Sequence, residues 1–225
     1  MIKEEAQRLS QQLNMSPEQV VREEWEIKIL KTIFDSSIGQ KLYFKGGTAL
    51  RLAYASPRFS EDLDFTIIKK ITLNEFKKIC QDFSQRFPQV KISDLAEKFN
   101  TLLAEFKISE FFLTQNISLK IEISKRSNKK YKKELLLLSS PITNLQVLGY
   151  TEIIADIYQE KIAALSSRAK ARDLFDIWFI CQKLKQPLPP KLARLDKKII
   201  KSELRRFLPS NYNNLINDLI KKYGK

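Results

Sequence analysis

The chain has 225 residues, with 40 Lys and Arg against 26 Asp and Glu, a formal net charge of +14, and no histidine. The absence of histidine removes imidazole bases, His-ligated zinc and Ser-His hydrolysis, leaving carboxylates, Lys and Tyr for acid–base chemistry. A hydrophobic fraction of 43% with 10% aromatics is that of a globular chain, and 225 residues can bury one core, or one core with a helical appendage. Cys80 and Cys181 are too few for a disulfide framework or a thiolate metal site and are expected as buried thiols. No apolar run approaches the ~20 residues that span a bilayer. The opening MIKEEAQRLSQQ is too polar for a signal peptide, so a cytoplasmic location and no membrane partner are expected. The charge excess has two readings: a polyanionic partner such as nucleic acid or nucleotide, or lysine inflated by an AT-biased genome.

Ile2 to Asn14 has an amphipathic spacing, with Ala6, Leu9 and Leu13 on one face. Ser16-Pro17-Glu18-Gln19 is a helix start, Ser as N-cap, Pro at the first turn and Gln three residues on. That helix is predicted to end near Asp35 to Gly39 and to pack behind a sheet. Lys41 to Lys45 reads as a short strand that stops at the pair Gly46-Gly47. Thr48 to Tyr54 has helical composition, so the glycines fall just before a helix N-terminus, where free N–H groups and the dipole favour an anion. In Ser60-Glu61-Asp62-Leu63-Asp64-Phe65-Thr66-Ile67-Ile68, a strand would put Asp62 and Asp64 on one face and Leu63, Phe65 and Ile67 on the other. Two carboxylates that close call for a cation, Mg²⁺ or Mn²⁺ with oxygen ligands. Otherwise Asp62 caps a turn and Asp64 is a solvated strand residue.

With these residues, GGTALRL followed by RFSEDLDF resembles motif I of the AbiEii/AbiGii-type toxins, a bacterial branch of the nucleotidyltransferase superfamily that includes DNA polymerase β. The resemblance spans about Ser16 to Lys183. It implies an α/β (α+β) fold: a small mixed nucleotidyltransferase-type sheet flanked by helices over residues 16–150, and a helical C-terminal lobe over residues 151–225 that completes the active site.

Thr72-Leu-Asn-Glu75 is a second capping box, opening a helix to about Phe87. Val90 to Ile92, Leu102 to Phe106 and Phe111 to Leu113 read as meandering antiparallel strands. In ISLKIEIS, Ile117 to Ser124, strict alternation puts Ser118, Lys120, Glu122 and Ser124 on the polar face. Glu122 is either a third acid for a metal or one half of an exposed ion pair. Lys125 to Lys133 is a basic run, either a solvated turn or a rim for nucleic-acid phosphate. Leu135 to Leu138 and Gln146 to Leu148 look like strands parted at Pro141. Thr151 is expected to cap a helix in which Lys161 falls in the middle of the stripe Ile154, Ile157, Tyr158 and Leu165. A lysine there either snorkels out or finds an anion.

SSRAKARDLFDIWFICQKL resembles the R-x-K-x-R-D-x-x-D-h signature of the same family, with Arg168, Lys170, Arg172, Asp173 and Asp176 in place. Asp173 projects inward between Ile177 and Ile180 and Asp176 lies at the edge of that face, either as acids suited to a first turn or with Asp173 orienting Lys161 or an arginine. After a QPLPP linker, helices are expected over residues 196–207 and 210–223, and from Lys183 to Lys225 twelve Lys and Arg face three acids.

The resemblance implies transfer of a nucleoside monophosphate from an NTP to an acceptor hydroxyl. It makes Asp62, Asp64 and Glu122 the ligands of two Mg²⁺ (or Mn²⁺) ions, with Lys161 and Asp173 completing the catalytic set. Gly46, Gly47, Thr48, Arg58, Ser60 and Lys161 would meet the nucleotide, Arg58 and Lys161 as cationic clamps. It also implies RNA as acceptor, in some relatives the tRNA 3′ end, and a cognate antitoxin. A protein or small-molecule acceptor, or a non-catalytic nucleic-acid-binding role, are the competing readings.

Overall fold

The computed structural model describes residues 1–126 and 132–225, so Lys129 and Lys130 of the basic run lie outside the described residues. α1 (Lys3–Leu13) buries Ala6 and Leu9. α2 (Pro17–Phe34) opens with the expected reciprocal cap: the Ser16 hydroxyl accepts from the Gln19 N–H and the Gln19 side chain accepts from the Ser16 N–H. Two donors that the first turn would leave unpaired are thereby satisfied. α2 runs beneath the sheet between α1 and the later helices and buries residues around its circumference, Glu23 and Glu26 included.

Seven strands follow: β1 (Leu42–Lys45), β2 (Asp62–Ile67), β3 (Val90–Lys98), β4 (Thr101–Ile108), β5 (Ile117–Ser124), β6 (Lys133–Ser140) and β7 (Thr143–Glu152). They form one mixed sheet in the order β3-β4-β5-β2-β1-β7-β6. β2 lies parallel to β5 and β1 parallel to β7, while the other neighbours are antiparallel. The period of two in β2 puts Leu63 and Phe65 into the core and leaves the two aspartates on the opposite face. The core behind the sheet joins Phe44, Leu63 and Phe65 to Ile29 and Ile33 of α2 and to Phe76 and Phe83 of α4 (Leu73–Arg86). Each such side chain contributes roughly 1.5–3 kcal/mol of burial.

α3 (Gly46–Tyr54) connects β1 towards β2, and α5 (Ile154–Arg168), α6 (Ala171–Lys183), α7 (Lys197–Phe207) and α8 (Asn213–Tyr223) follow the sheet. These last four share an apolar cluster of their own, including Leu165, Leu174, Ile177, Leu204 and Leu219, which Leu50 of α3 joins. α4 takes the predicted capping box of Thr72 and Glu75.

Four local expectations change. Phe111–Leu113 is a turn in the β4–β5 connection rather than a strand, because its exposed Phe111 has no sheet face to enter. β3 and β6–β7 run longer than their apolar cores, since the register carries polar residues along the solvent face. Thr151 caps no helix: it is fully buried near the end of β7, and α5 starts at Ile154 with no side-chain cap. The glycine pair lies inside the first turn of α3 instead of before it.

Candidate active site

The register of three strands builds one wall of a cleft. Asp64 is the lateral neighbour of Lys45 on β1 and of Glu122 on β5, and Asp62 that of Lys120. The three acids predicted as metal ligands therefore share one sheet face. Their mutual repulsion is not fully compensated. Burial, then the Asp62 charge, push the Asp64 carboxyl up to about 6 from an ordinary 3.8, with Glu122 adding to the rise and Lys161 and Lys45 opposing it. Asp62 is also raised, chiefly by burial, against the pull of Lys120 and Arg172. Glu122 is half-exposed and pairs with Lys120, two residues back on its own strand.

Gly46 turns the chain out of β1 over these acids. Its φ is +79°, and a Cβ there would stand 2.4 Å from Asp64 Oδ2, so only glycine allows the backbone this approach. A Cβ on Gly47 would meet Arg58 Nη2 at 2.3 Å and Ser60 Oγ at 2.6 Å. Both side chains predicted to meet nucleotide thus press on the turn from behind. Thr48 is fully buried and its hydroxyl donates to the Asp62 carbonyl at 2.6 Å, tying α3 to β2. Of the six residues expected at the nucleotide, Gly46 and Lys161 line the cleft while Gly47, Thr48, Arg58 and Ser60 stand behind it.

The second wall is α5, which presents Glu160, Lys161, Ala164, Ser167 and Arg168 to a cavity of about 460 Å³. Lys161, in the middle of the apolar stripe, is 7% exposed and does not snorkel. Its Nζ lies 2.6 Å from Asp176 Oδ2 and 3.2 Å from Asp173 Oδ1. Asp173 in turn accepts two 2.7 Å hydrogen bonds from Arg168, and Asp176 accepts from Arg58 at 2.6 and 2.9 Å. A continuous chain of charge results, Arg58, Asp176, Lys161, Asp173, Arg168. Burial, the largest influence on Asp176, would raise its carboxyl, but Arg58 and Lys161 outweigh it and hold it below the usual carboxylate range. Arg58, expected as a phosphate clamp, is 1% exposed and spends its guanidinium on Asp176. Asp176 was placed at the edge of a helix face and is fully buried at the centre of the network; its partner lies 118 residues away, and no local pattern signals that pairing. Lys45 donates to both Glu160 oxygens, at 2.8 and 3.0 Å, and so ties the two walls together.

A divalent cation fits the donor chemistry of the first wall: hard oxygen ligands, crowded acids with a raised carboxyl among them, and a glycine that keeps the approach to Asp64 open. Among the described residues no three acids are gathered tightly enough to hold an ion, and Glu122 is paired with Lys120.

The site thus sets paired acids and a Gly-Gly turn on one mixed sheet across from Lys161 and Arg168 of α5. Solved structures share the fold. "Crystal structure of JHP933 from Helicobacter pylori" is 23% identical with a TM-score of 0.57, the match covering 91% of this chain and 78% of that one. "MenT4, nucleotidyltransferase toxin Rv2826c from Mycobacterium tuberculosis H37Rv" is 17% identical with a TM-score of 0.59, over 93% and 68%. The comparison with curated proteins found no match. The family profile "Nucleotidyl transferase AbiEii toxin, Type IV TA system" matches residues 28–221, and the chain belongs to that family. It is accordingly a nucleotidyltransferase toxin of a type IV toxin–antitoxin system, with NTP as substrate and an antitoxin as counterpart. No helix among the described residues is long and apolar enough to cross a membrane.

Proposed function

We propose that this chain moves a nucleoside monophosphate from an NTP to a hydroxyl of RNA, the tRNA 3′ end being the acceptor that the family suggests, and that it does so in the cytoplasm. The observation that carries the reading is the alignment of Asp62, Asp64 and Glu122 on one face of β2 and β5, with Asp64 raised, across a cleft from Lys161 and Arg168 of α5. These three acids would hold Mg²⁺, which when bound supplies Lewis-acid activation and neutralises the leaving pyrophosphate. Glu122 takes the proton of the acceptor hydroxyl as its oxygen bonds to the α-phosphorus and the bond to the bridging oxygen breaks. Gly46, at the start of α3, would present its backbone to the triphosphate, and Lys161, held by Asp173 and Asp176, supplies the cation on its other side. Arg58 acts one step back, fixing the Gly47 turn from behind. The net charge of +14 favours a polyanionic acceptor over a small molecule.

Purified protein with Mg²⁺, each α-labelled NTP and total cellular RNA is the test, run beside Asp64→Ala. A discrete labelled RNA band lost in the variant is expected. Label on protein instead, or on nothing under any NTP, would overturn the RNA-acceptor reading.

A further inference from the structure

The cleft does not end at the acids. Along β5 it continues past Glu122 to Ser124 and Arg126, with Thr101 of β4 beside Ser124. Thr101 begins the strand that leaves a two-residue hairpin, Phe99-Asn100, joining β3 to β4, with Lys98 and Thr101 as the flanking pair. The Lys125 N–H donates to the Asn100 carbonyl at 2.7 Å, so this hairpin tip is fastened to the end of β5 at the mouth of the cleft.

At that tip Phe99 is 93% exposed, the most exposed of the large hydrophobic residues. Its φ is +33°, in the left-handed region where a hairpin turn favours Asn or Gly over a bulky aromatic. Neither burial nor turn chemistry accounts for a phenylalanine here. The other strongly exposed aromatic, Phe111, is 86% exposed but stacks edge-on against Phe112 at 5.2 Å, in the turn at the opposite end of β4 and β5. Lys98 precedes Phe99 in the hairpin, and Arg126 follows the Lys125 whose N–H fastens the hairpin at Asn100. Lys98 pairs with Asp94 and Lys125 with Glu97, whereas Arg126 forms no ion pair among the described residues while lining the cleft.

An exposed ring at a hairpin tip fastened one residue from Arg126, which lines the cleft and makes no ion pair among the described residues, supplies the chemistry of single-stranded nucleic-acid binding: bases stack on the ring and phosphate meets the cation. We propose that Phe99 and Arg126 form a stacking platform for the unpaired end of the acceptor RNA, Phe99 under a base and Arg126 on the adjoining phosphate, feeding the terminal hydroxyl along β5 to Glu122. The position on the Glu122 side agrees with Glu122 receiving the acceptor proton, and the inference rests on RNA being the acceptor.

The test compares the full-length chain with Phe99→Ala, Phe99→Tyr and Arg126→Ala, all at exposed positions, with circular dichroism as the check on folding. The binding probe is a fluorescein-labelled single-stranded RNA of about twelve nucleotides, within the site sizes of such channels. Phe99→Ala should weaken binding roughly 5- to 100-fold, the loss of one base stack, while Phe99→Tyr keeps it. Arg126→Ala should weaken binding and flatten the dependence of log affinity on log salt by about one. Neither Phe99 variant should change KM for NTP. If Phe99→Ala binds and labels RNA like the wild type while Asp64→Ala labels none, the platform is overturned and nucleotidyl transfer to RNA stands. If binding depends on Phe99 but no NTP yields labelled RNA, Phe99 is an RNA contact, and the acceptor reading and the feeding of a terminal hydroxyl to Glu122 are overturned together. If the wild type does not bind the probe and Phe99→Ala loses labelling of a protein, the surface serves a protein and the proposal is overturned.

Discussion

The two walls of the cleft are both clusters of charged side chains, and they are built on opposite principles. On α5 and α6 each buried acid has its cations within hydrogen-bonding distance: Asp173 with Lys161 and Arg168, Asp176 with Lys161 and Arg58. On β2 and β5 the acids share one face, and Asp64 is raised first by burial and then by the charges of Asp62 and Glu122. A compensated cluster holds a shape; an uncompensated one holds a place for a cation. Substitutions in the two walls should therefore act with opposite signs on stability.

Asp64→Asn separates function from folding most sharply. Transfer should fall roughly 10²- to 10³-fold or more, the scale of losing one preorganised electrostatic contact. Stability should move the other way. A carboxyl at about 6 in the fold and 3.8 as its ordinary value keeps a proton between those pH values that the unfolded chain releases. Folding stability therefore falls as pH rises through that window and stays at the lower level above it. Asn has no charge to bury, so the variant should gain about 1 kcal/mol above pH 6, discounted for partial exposure, and nothing below pH 4. Thermal melts across pH check this, and an Asp64→Asn chain less stable than wild type at pH 8 would contradict the uncompensated wall. Mg²⁺ should raise the melting temperature of the wild type, by about 2.7 kcal/mol of stabilisation at a hundred times Kd, and raise that of Asp64→Asn much less.

Asp176→Ala in the compensated wall should do the reverse. Removing it strands the buried guanidinium of Arg58 and one contact of Lys161, and breaking a buried pair from one side costs about 3–5 kcal/mol. Urea melts should show a lower midpoint. Because Asp176 is held below the usual carboxylate range, its contribution is present above its ordinary pKa and lost as acid drives protons onto it. The Asp176→Ala deficit should accordingly shrink in acid, whereas any deficit that is flat with pH would point to packing alone.

What could be read from the chain in advance follows the same division. The carboxylate wall was legible because strand periodicity is local: D-L-D and K-I-E-I each fix a face within three residues, and the register then lines the faces up. Lys161 was legible as a charge inside an apolar stripe, and Asp173 as an inward acid one helix on. Asp176 and the inward turn of Arg58 were not, because their pairing joins a loop to a helix across 118 residues. Likewise Thr151 had the composition of a helix cap, but the ladder of β7 with β6 and β1 claimed it. Local chemistry marks which residues are charged and which face they take; long-range pairing decides which charges are spent.

The smallest effect probes a compensated pair within the strand wall. Lys120 pairs with Glu122 and neighbours Asp62, but the two side chains are 41% and 40% exposed, so the pair is worth at most about 1 kcal/mol. Lys120→Met removes a positive charge from beside three acids and releases Glu122 to join Asp62 and Asp64. The Mg²⁺ concentration for half-maximal transfer should then fall roughly two- to fivefold, the equivalent of that energy, with KM for NTP rising modestly as a cation leaves the site. Both changes should fade as salt is added, since the pair is open to solvent. A higher Mg²⁺ requirement in Lys120→Met would mean that Lys120 holds Glu122 in its working position, and the contrast between the two walls would then be one of degree.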